Sequence, residues 1–216
     1  YQVLDNEFEF ILGNAFKTRR HYGAKTDKRD AEWLAELCLN NQIEPSRILP
    51  KEDRELRALT RARKGYVDFR SKLKTRTIQE LEACTIKLAS ELSDVFGKSG
   101  RHILQGLIDC RRDDDIIQTI PSKRVRKNKD RIKQAIQVGL SPISIFLIAS
   151  HLQMIDEVDK KLVQLDAQIS RLLKTRKKDV EIAMSMPGIS FVSAAAILSE
   201  IGDYRKFASG KKLAAF

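Results

Sequence analysis

A mainly α-helical fold is what this sequence predicts, and two observations carry the prediction. Aromatic residues make up 6% of the 216 residues, with 5 Pro and 10 Gly, which argues against a β-sandwich or barrel. Two stretches, one after Pro50 and one from Pro142, repeat apolar residues at helical spacing well beyond an ordinary helix length. Charged residues at 32% and hydrophobic ones at 42% exclude a membrane protein and a typical disordered chain. The richest apolar run, Ile143 to Ala149, is less than half of the roughly 18 residues needed to span a bilayer.

Taken in order, residues 1–24 are short and mixed, with Phe8, Phe10, Ile11, Leu12 and Phe16 ahead of Lys17, Thr18, Arg19 and Arg20. They read as the end of an α/β domain. Residues 26–41 read as one helix, with Ala31, Leu34, Leu37, Cys38 and Asn41 at the 3-4 spacing of a single buried face. It should fail before Pro45, whose ring removes a backbone donor and restricts Glu44. From Pro50 to Phe96 there is no further Pro and only Gly65. Leu56, Leu59, Tyr66, Phe69, Leu73, Ile78, Leu81, Leu88, Leu92 and Val95 mark a long helix across it, with Gly97 and Gly100 as the stop.

A second long helix is expected from Ser141-Pro142, because Pro suits the first turn. Ile145, Ile148, Leu152, Ile155, Val158, Leu162, Leu165, Ile169 and Leu172 form a heptad seam with one stammer at Ile155–Val158. The two helices, joined by a connecting subdomain (97–140), fit an antiparallel arm, a dimerising coiled coil or a bundle core. Periodicity alone does not separate the three; the heptads suggest a homo-oligomer, a dimer or tetramer, only when taken with the family resemblance drawn below.

The 40 Lys and Arg exceed the 29 Asp and Glu, for a net charge of +11. Segment 121–133 gathers Lys123, Arg124, Arg126, Lys127, Lys129, Arg131 and Lys133 against Asp130 alone. The first long helix carries ten basic and four acidic residues between Lys51 and Arg76. A charge run is often only a solvated face, but two such stretches in a basic chain point to a polyanion partner. A membrane surface fits poorly, since no basic stretch is paired with an exposed bulky apolar face.

Cys38, Cys84 and Cys110 are odd in number and far apart, without a CxxC pair, so neither a disulfide framework nor a zinc ribbon is expected. His21, His102 and His151 have no ligand spacing. No Ser-His-Asp arrangement, Gly-rich phosphate loop or HExxH motif stands out, and the serines from 185 to 199 have no base partner.

Two constellations carry chemistry. In Lys25-Thr26-Asp27-Lys28-Arg29-Asp30-Ala31, the two aspartates stand three apart at a helix start, so their carboxylates share one side of the first turn. Two hard oxygen ligands there suit Mg²⁺. Equally, Asp27 as N-cap and Asp30 in the first turn explain both acids without a metal. Arg19, Arg20, Lys25, Lys28 and Arg29 suit phosphates beside such a metal, or else neutralise the acids. The second constellation, Met184 to Leu198, ends one helix, turns at Pro187-Gly188 and starts another rich in small residues. It resembles a helix-hairpin-helix, in which the backbone N–H groups of Gly188, Ile189 and Ser190 would bind a phosphate. A tight packing turn is the alternative.

The chain begins at Tyr1 without Met and stops within the apolar Ala214-Ala215-Phe216, with no signal-peptide pattern. That reads as part of a longer cytoplasmic protein.

Lys25-Thr26-Asp27-Lys28-Arg29-Asp30-Ala31 followed by Leu34 resembles the KTDxxDA signature of the bacterial DEDD insertion-sequence transposases, the IS one-hundred-and-ten group with its pilin-gene inverting recombinases. Met186-Pro187-Gly188-Ile189, Ala194, Glu200-Ile201-Gly202-Asp203, Phe207 and Leu213-Ala214-Ala215-Phe216 are similar to the start of that group's C-terminal transposase domain. The resemblance implies the end of a RuvC-like (RNase H-like) domain over 1–45, a coiled-coil arm over 46–180 and the start of a transposase domain over 181–216. It implies a metal-dependent DNA transposase or site-specific recombinase, some of whose members are guided by a structured bridge RNA. Asp27 and Asp30 would be the third and fourth catalytic, metal-binding acids, with Mg²⁺ or Mn²⁺ as cofactor. The first two acids and the serine nucleophile are expected outside the sequence, so the chain by itself is expected to be inactive. Asp5, Glu7 and Glu9 sit too close to Asp27 to supply the second acid, and Ser209 precedes the family's serine. The competing readings are a non-catalytic helical protein that binds nucleic acid and dimerises, and a RuvC-like nuclease without serine chemistry.

Overall fold

A computed structural model describes residues 11–14, 18, 26–46 and 48–215. The chain divides into two compact units, residues 1–54 and 55–216. Among the described residues the regular structure is helical, and the only β pairing is an isolated bridge between Gly13 and Pro45.

In the first unit, α1 spans Asp27–Leu39. It ends in a Schellman turn: Asn41, at φ 53°, donates to the Cys38 carbonyl, and Gln42 donates to the Leu37 carbonyl at 2.8 Å. Of the expected buried face only Leu37 is buried; Leu34 is 45% exposed, and Asn41 lies past the helix end. The helix is held from another side, where the half-buried Trp33 indole donates to the Thr18 carbonyl at 3.0 Å. The helix α2, Lys51–Ala83, begins at the boundary between the units.

The second unit is built on α2 and α8, Pro142–Leu172. The helix α8 starts as expected, with Pro142 in the first turn and the Ser141 hydroxyl accepting from the Ser144 N–H at 3.1 Å. It runs unbroken through the stammer, and every residue of its seam is buried or half-buried within the chain itself. Arg63 grips Asp166 with two hydrogen bonds, at 2.5 and 3.2 Å, and Arg70 donates to Asp159 at 2.5 Å. Seven residues forward on α2 thus match seven residues back on α8, so the two helices run antiparallel.

The helix α2 does not continue to Phe96. It stops at Ala83 in a second Schellman turn, where Thr85, at φ 62°, donates to Glu82 and Ile86 to the Leu81 carbonyl, both at 2.8 Å. Ile86 and Leu81 are both fully buried, the apolar contact that accompanies this motif. Nothing in Cys84-Thr85-Ile86 announces the turn, because a β-branched residue holds the left-handed position usually given to Gly.

Between the long helices lies a head of short ones: α3 (Leu88–Glu91), α4 (Lys98–Ile108), α5 (Asp113–Gln118), α6 (Lys123–Arg126) and α7 (Lys129–Ile136). Ile103, Leu104, Ile116, Ile120, Ile132 and Ile136 form its core and join Leu73 and Leu81 of α2 and Ile148, Leu152 and Ile155 of α8. Gly97 and Gly100 open α4 rather than close α2. A Cβ on Gly100 would stand 2.1 Å from the Val95 carbonyl oxygen. The other end of the hairpin carries α9 (Lys177–Met184), α10 (Phe191–Ile201) and α11 (Gly210–Ala214). Here Leu56, Ile169, Leu173, Val180, Ala183, Ala194, Ala195 and Leu198 make a second core.

Gly100→Ala should lower unfolding stability by about 2–3 kcal/mol, since backbone must move to admit the methyl group. Gly65, inside α2 with open space around it, gives the opposite sign: Gly65→Ala should raise stability by about 0.5–1 kcal/mol. Urea unfolding of the two variants against the parent chain measures both.

Candidate functional site

The acid pair stands at the start of α1. The N-cap is Thr26, whose hydroxyl accepts from the Arg29 N–H at 3.4 Å, so Asp27 is the first helical residue and not the cap. Asp27 is exposed and Asp30 half-buried. Neither carboxylate has an ion-pair or hydrogen-bond partner among the described residues. Lys28 and Arg29 are exposed and pair with neither acid; Arg19, Arg20 and Lys25 lie outside the described residues. Two free carboxylates on one side of a helical turn are donors that a hard cation accepts together with waters. No group of three or more His, Cys, Asp or Glu gathers to hold a metal among the described residues. The pair therefore fits Mg²⁺ or Mn²⁺ as a partial ligand set.

The basic segment 121–133 forms one exposed edge of the head. Ser122 caps α6, and Lys123, Arg124, Arg126, Lys127, Lys129 and Arg131 are all exposed. None of the six has an acidic partner among the described residues. Lys133 is the exception: it pairs with Asp114 at 2.5 Å, which raises its pKa and lowers that of Asp114.

The basic residues of α2 are disposed differently. Arg63 and Arg70 hold α8, and Arg57 and Arg61 converge on Glu200 of α10. Arg101 of α4 likewise pairs with Asp156 at 2.6 Å. Much of the charge on the first long helix is thus internal fastening, whereas six cations of the 121–133 edge have no acidic partner among the described residues.

At the second constellation, α9 and α10 meet through a turn in which Gly188 adopts φ 85°. Ile189 donates its backbone N–H to Met186 at 3.2 Å, and Ser190 caps α10 by accepting from the Ser193 N–H at 3.2 Å. The N–H groups of Gly188 and Ser190 have no acceptor among the described residues. One of the three expected phosphate donors is therefore used internally, and two are free.

The sequence reading missed two fastenings here. Asp179, 7% exposed, accepts from Arg176 and Arg205, each at 3.2 Å, while Arg176 also donates to the Gly202 carbonyl at 2.8 Å. Thr60 and Ser199 share a buried hydroxyl hydrogen bond at 2.9 Å beside the Glu200 cluster. The one signal for Glu200 was the spacing of Arg57 and Arg61, one helical turn apart. In Glu200-Ile201-Gly202-Asp203, Glu200 docks on α2, Gly202 turns the chain at φ 66°, and Asp203 accepts from the Arg205 N–H at 3.0 Å.

The acid pair, the basic edge of the head and the turn before α10 are the features that bear on the class of this protein. Comparison with known sequences makes the class specific. Residues 7–86 match the sequence model of the DEDD transposases of the IS110 type, and residues 180–216 match that of the IS116/IS110/IS902 transposase family. Together the two matches take in more than half of the chain and both constellations. The chain belongs to this family of insertion-sequence transposases. No curated protein and no solved structure was found to match. Among the described residues, no helix is long and apolar enough to cross a membrane.

The two arginines on Glu200 hold its carboxyl at about 2, below the ordinary 4.5. A depressed acid contributes stability above its unfolded pKa and loses it as pH falls toward the folded value. The cluster is partly exposed, so its worth is screened. Glu200→Gln should cost about 1 kcal/mol near pH 6, and that gap should close between pH about 4.5 and about 2. Urea unfolding of both proteins across this range provides the measurement.

Proposed function

We propose that the chain acts in metal-dependent cleavage and exchange of DNA strands for an insertion sequence, with Asp27 and Asp30 as metal-binding catalytic residues. The observation that carries this reading is the pair of carboxylates on the first turn of α1, without partners among the described residues and within the residues matched to the DEDD transposases. Mg²⁺ or Mn²⁺, when bound, supplies Lewis-acid polarisation of a scissile phosphate. The chain's own contribution is to present two side-chain carboxyl groups from the first turn of one helix.

The division of the chain follows the same reading: 1–45 as the end of the RuvC-like domain, 46–180 as the arm with subdomain 97–140, and 181–216 as the start of the transposase domain. Lys123, Arg124, Arg126 and Lys127 neutralise backbone phosphates along the edge of the head. The turn of Gly188, Ile189 and Ser190 receives a phosphate at the start of α10 through the N–H groups of Gly188 and Ser190, in the manner of a helix-hairpin-helix, and Arg19, Arg20, Lys25, Lys28 and Arg29, next to the acids in sequence, serve further phosphates. DNA is the principal partner, a structured guide RNA is a second, and the protein assembles as a dimer or tetramer in the bacterial cytoplasm.

In a cell assay with the complete insertion element, Asp27→Ala or Asp30→Ala should abolish strand exchange while the purified chain keeps its circular-dichroism spectrum. Full activity in both variants would remove the two acids from the site. Binding to duplex DNA should fall steeply with salt. Replacing Lys123, Arg124, Arg126 and Lys127 by Gln should flatten the log–log slope by roughly 0.9 for each phosphate that is no longer neutralised. An unchanged slope would place the DNA elsewhere.

A further inference from the structure

Arg124 leads from the basic edge into a cleft of about 310 Å³ in the head. That is the small end of the roughly 300–1,000 Å³ range of small-molecule sites. Its polar walls come from Glu91 at the end of α3, Asp94 in the following turn, Ser99 in the first turn of α4, and Ser122, Arg124 and Asn128 around α6.

Ser99 is only 9% exposed, it lines the cleft, and its hydroxyl has no partner among the described residues. Its oxygen is not sealed from solvent, so water satisfies it in the open cleft and a polar ligand replaces that water. The side chains of Arg124 and Asn128 are likewise unpartnered there. Asp94 spends one oxygen on the Phe96 N–H at 2.9 Å, and Glu91 meets only the Ser90 hydroxyl at 3.4 Å. Oxygens of both carboxylates are left to accept.

The charges decide the ligand. The start of α4 has no side-chain cap at Gly97, which alone would favour an anion. Two carboxylates on the same walls repel a free phosphate. The group that fits gives N–H donors to those carboxylates and carries a phosphate for Arg124. An unpaired nucleotide does both. Guanine suits best, because its ring N–H and amino group lie side by side and a carboxylate accepts two donors at once.

We infer that the head takes an unpaired guanine nucleotide into this cleft from a single strand lying along the basic edge. The inference rests on the reading of that edge as a nucleic-acid contact. Glu91 accepts from the base, Ser99 and Asn128 complete its polar contacts, and Arg124 holds the adjoining phosphate. The base edge is the same in RNA and DNA, so the strand's sugar is an outcome of the test.

Labelled oligothymidine strands with and without one central guanine, and their oligouridine counterparts, are titrated with the 216-residue chain. The guanine strand should bind at least about fivefold more tightly than its parent, as expected for a good paired contact to a base. Glu91→Gln and Ser99→Ala should each erase that preference and leave affinity for the plain strand unchanged. A preference confined to one sugar supports the site and assigns it to RNA or to DNA. Equal binding of guanine and plain strands overturns the cleft and leaves the basic edge standing. So does a preference that survives both substitutions. Failure of every strand to bind overturns both.

Discussion

The antiparallel pairing of α2 with α8 is the constraint on which the rest of the second unit depends. Both cores are assembled from residues of these two helices and of the short helices seated at their ends: Leu73, Leu81, Ile148 and Leu152 at one end, Leu56 and Ile169 at the other. Each fully buried Leu or Ile contributes roughly 1.5–3 kcal/mol, whereas a part-exposed ion pair contributes roughly 0.2–1 kcal/mol. Apolar burial therefore supplies the stability. The arginine–aspartate pairs supply the register, because Arg63 and Arg70 are spaced as Asp166 and Asp159 are. A slip of one heptad would leave one of each without its partner.

How much of this was legible in the sequence depends on which force wrote each feature. The helix α8 was readable from end to end, since its start uses Pro142 and its seam is periodic. The end of α2 was not, because the chain turns at Thr85 on the strength of Ile86 and Leu81 packing into the head. Tertiary burial there overrides a local preference for Gly. The same device ends α1 at Asn41 and α4 at Cys110, where Arg111 donates to the Gly106 carbonyl at 2.9 Å. Three helix ends are thus built without the residue that normally marks them. Glycine in turn appears where backbone approaches backbone, as at Gly100 against Val95.

The candidate site shows a similar split. The spacing of Asp27 and Asp30 was visible as a pattern, but only the structure shows Thr26 taking the capping role and leaving both carboxylates without partners among the described residues. That matters because capping was the strongest reason to explain the acids away. The distant partners of Glu200 and Asp179 were out of reach for a reading that sees only local spacing. Arg61 lies 139 residues from Glu200 and Arg205 lies 26 from Asp179.

Net charge alone would have spread the polyanion surface over both basic stretches. On α2, Arg57, Arg61, Arg63 and Arg70 each face a carboxylate of this same chain, and a phosphate arriving there would have to displace that partner. On α6 and the turn after it, none of Lys123, Arg124, Arg126 or Lys127 forms an ion pair among the described residues, although Arg124 lines a cleft with Glu91 and Asp94. Equal counts of positive charge therefore do unequal work. Where the acid is already present, arginine fixes helix against helix. Where it is absent, the field reaches into solvent, and screening over about a Debye length makes any contact there salt-sensitive. The partnering of each cation, more than the total of +11, separates the charge that fastens helices from the charge that faces solvent on the head.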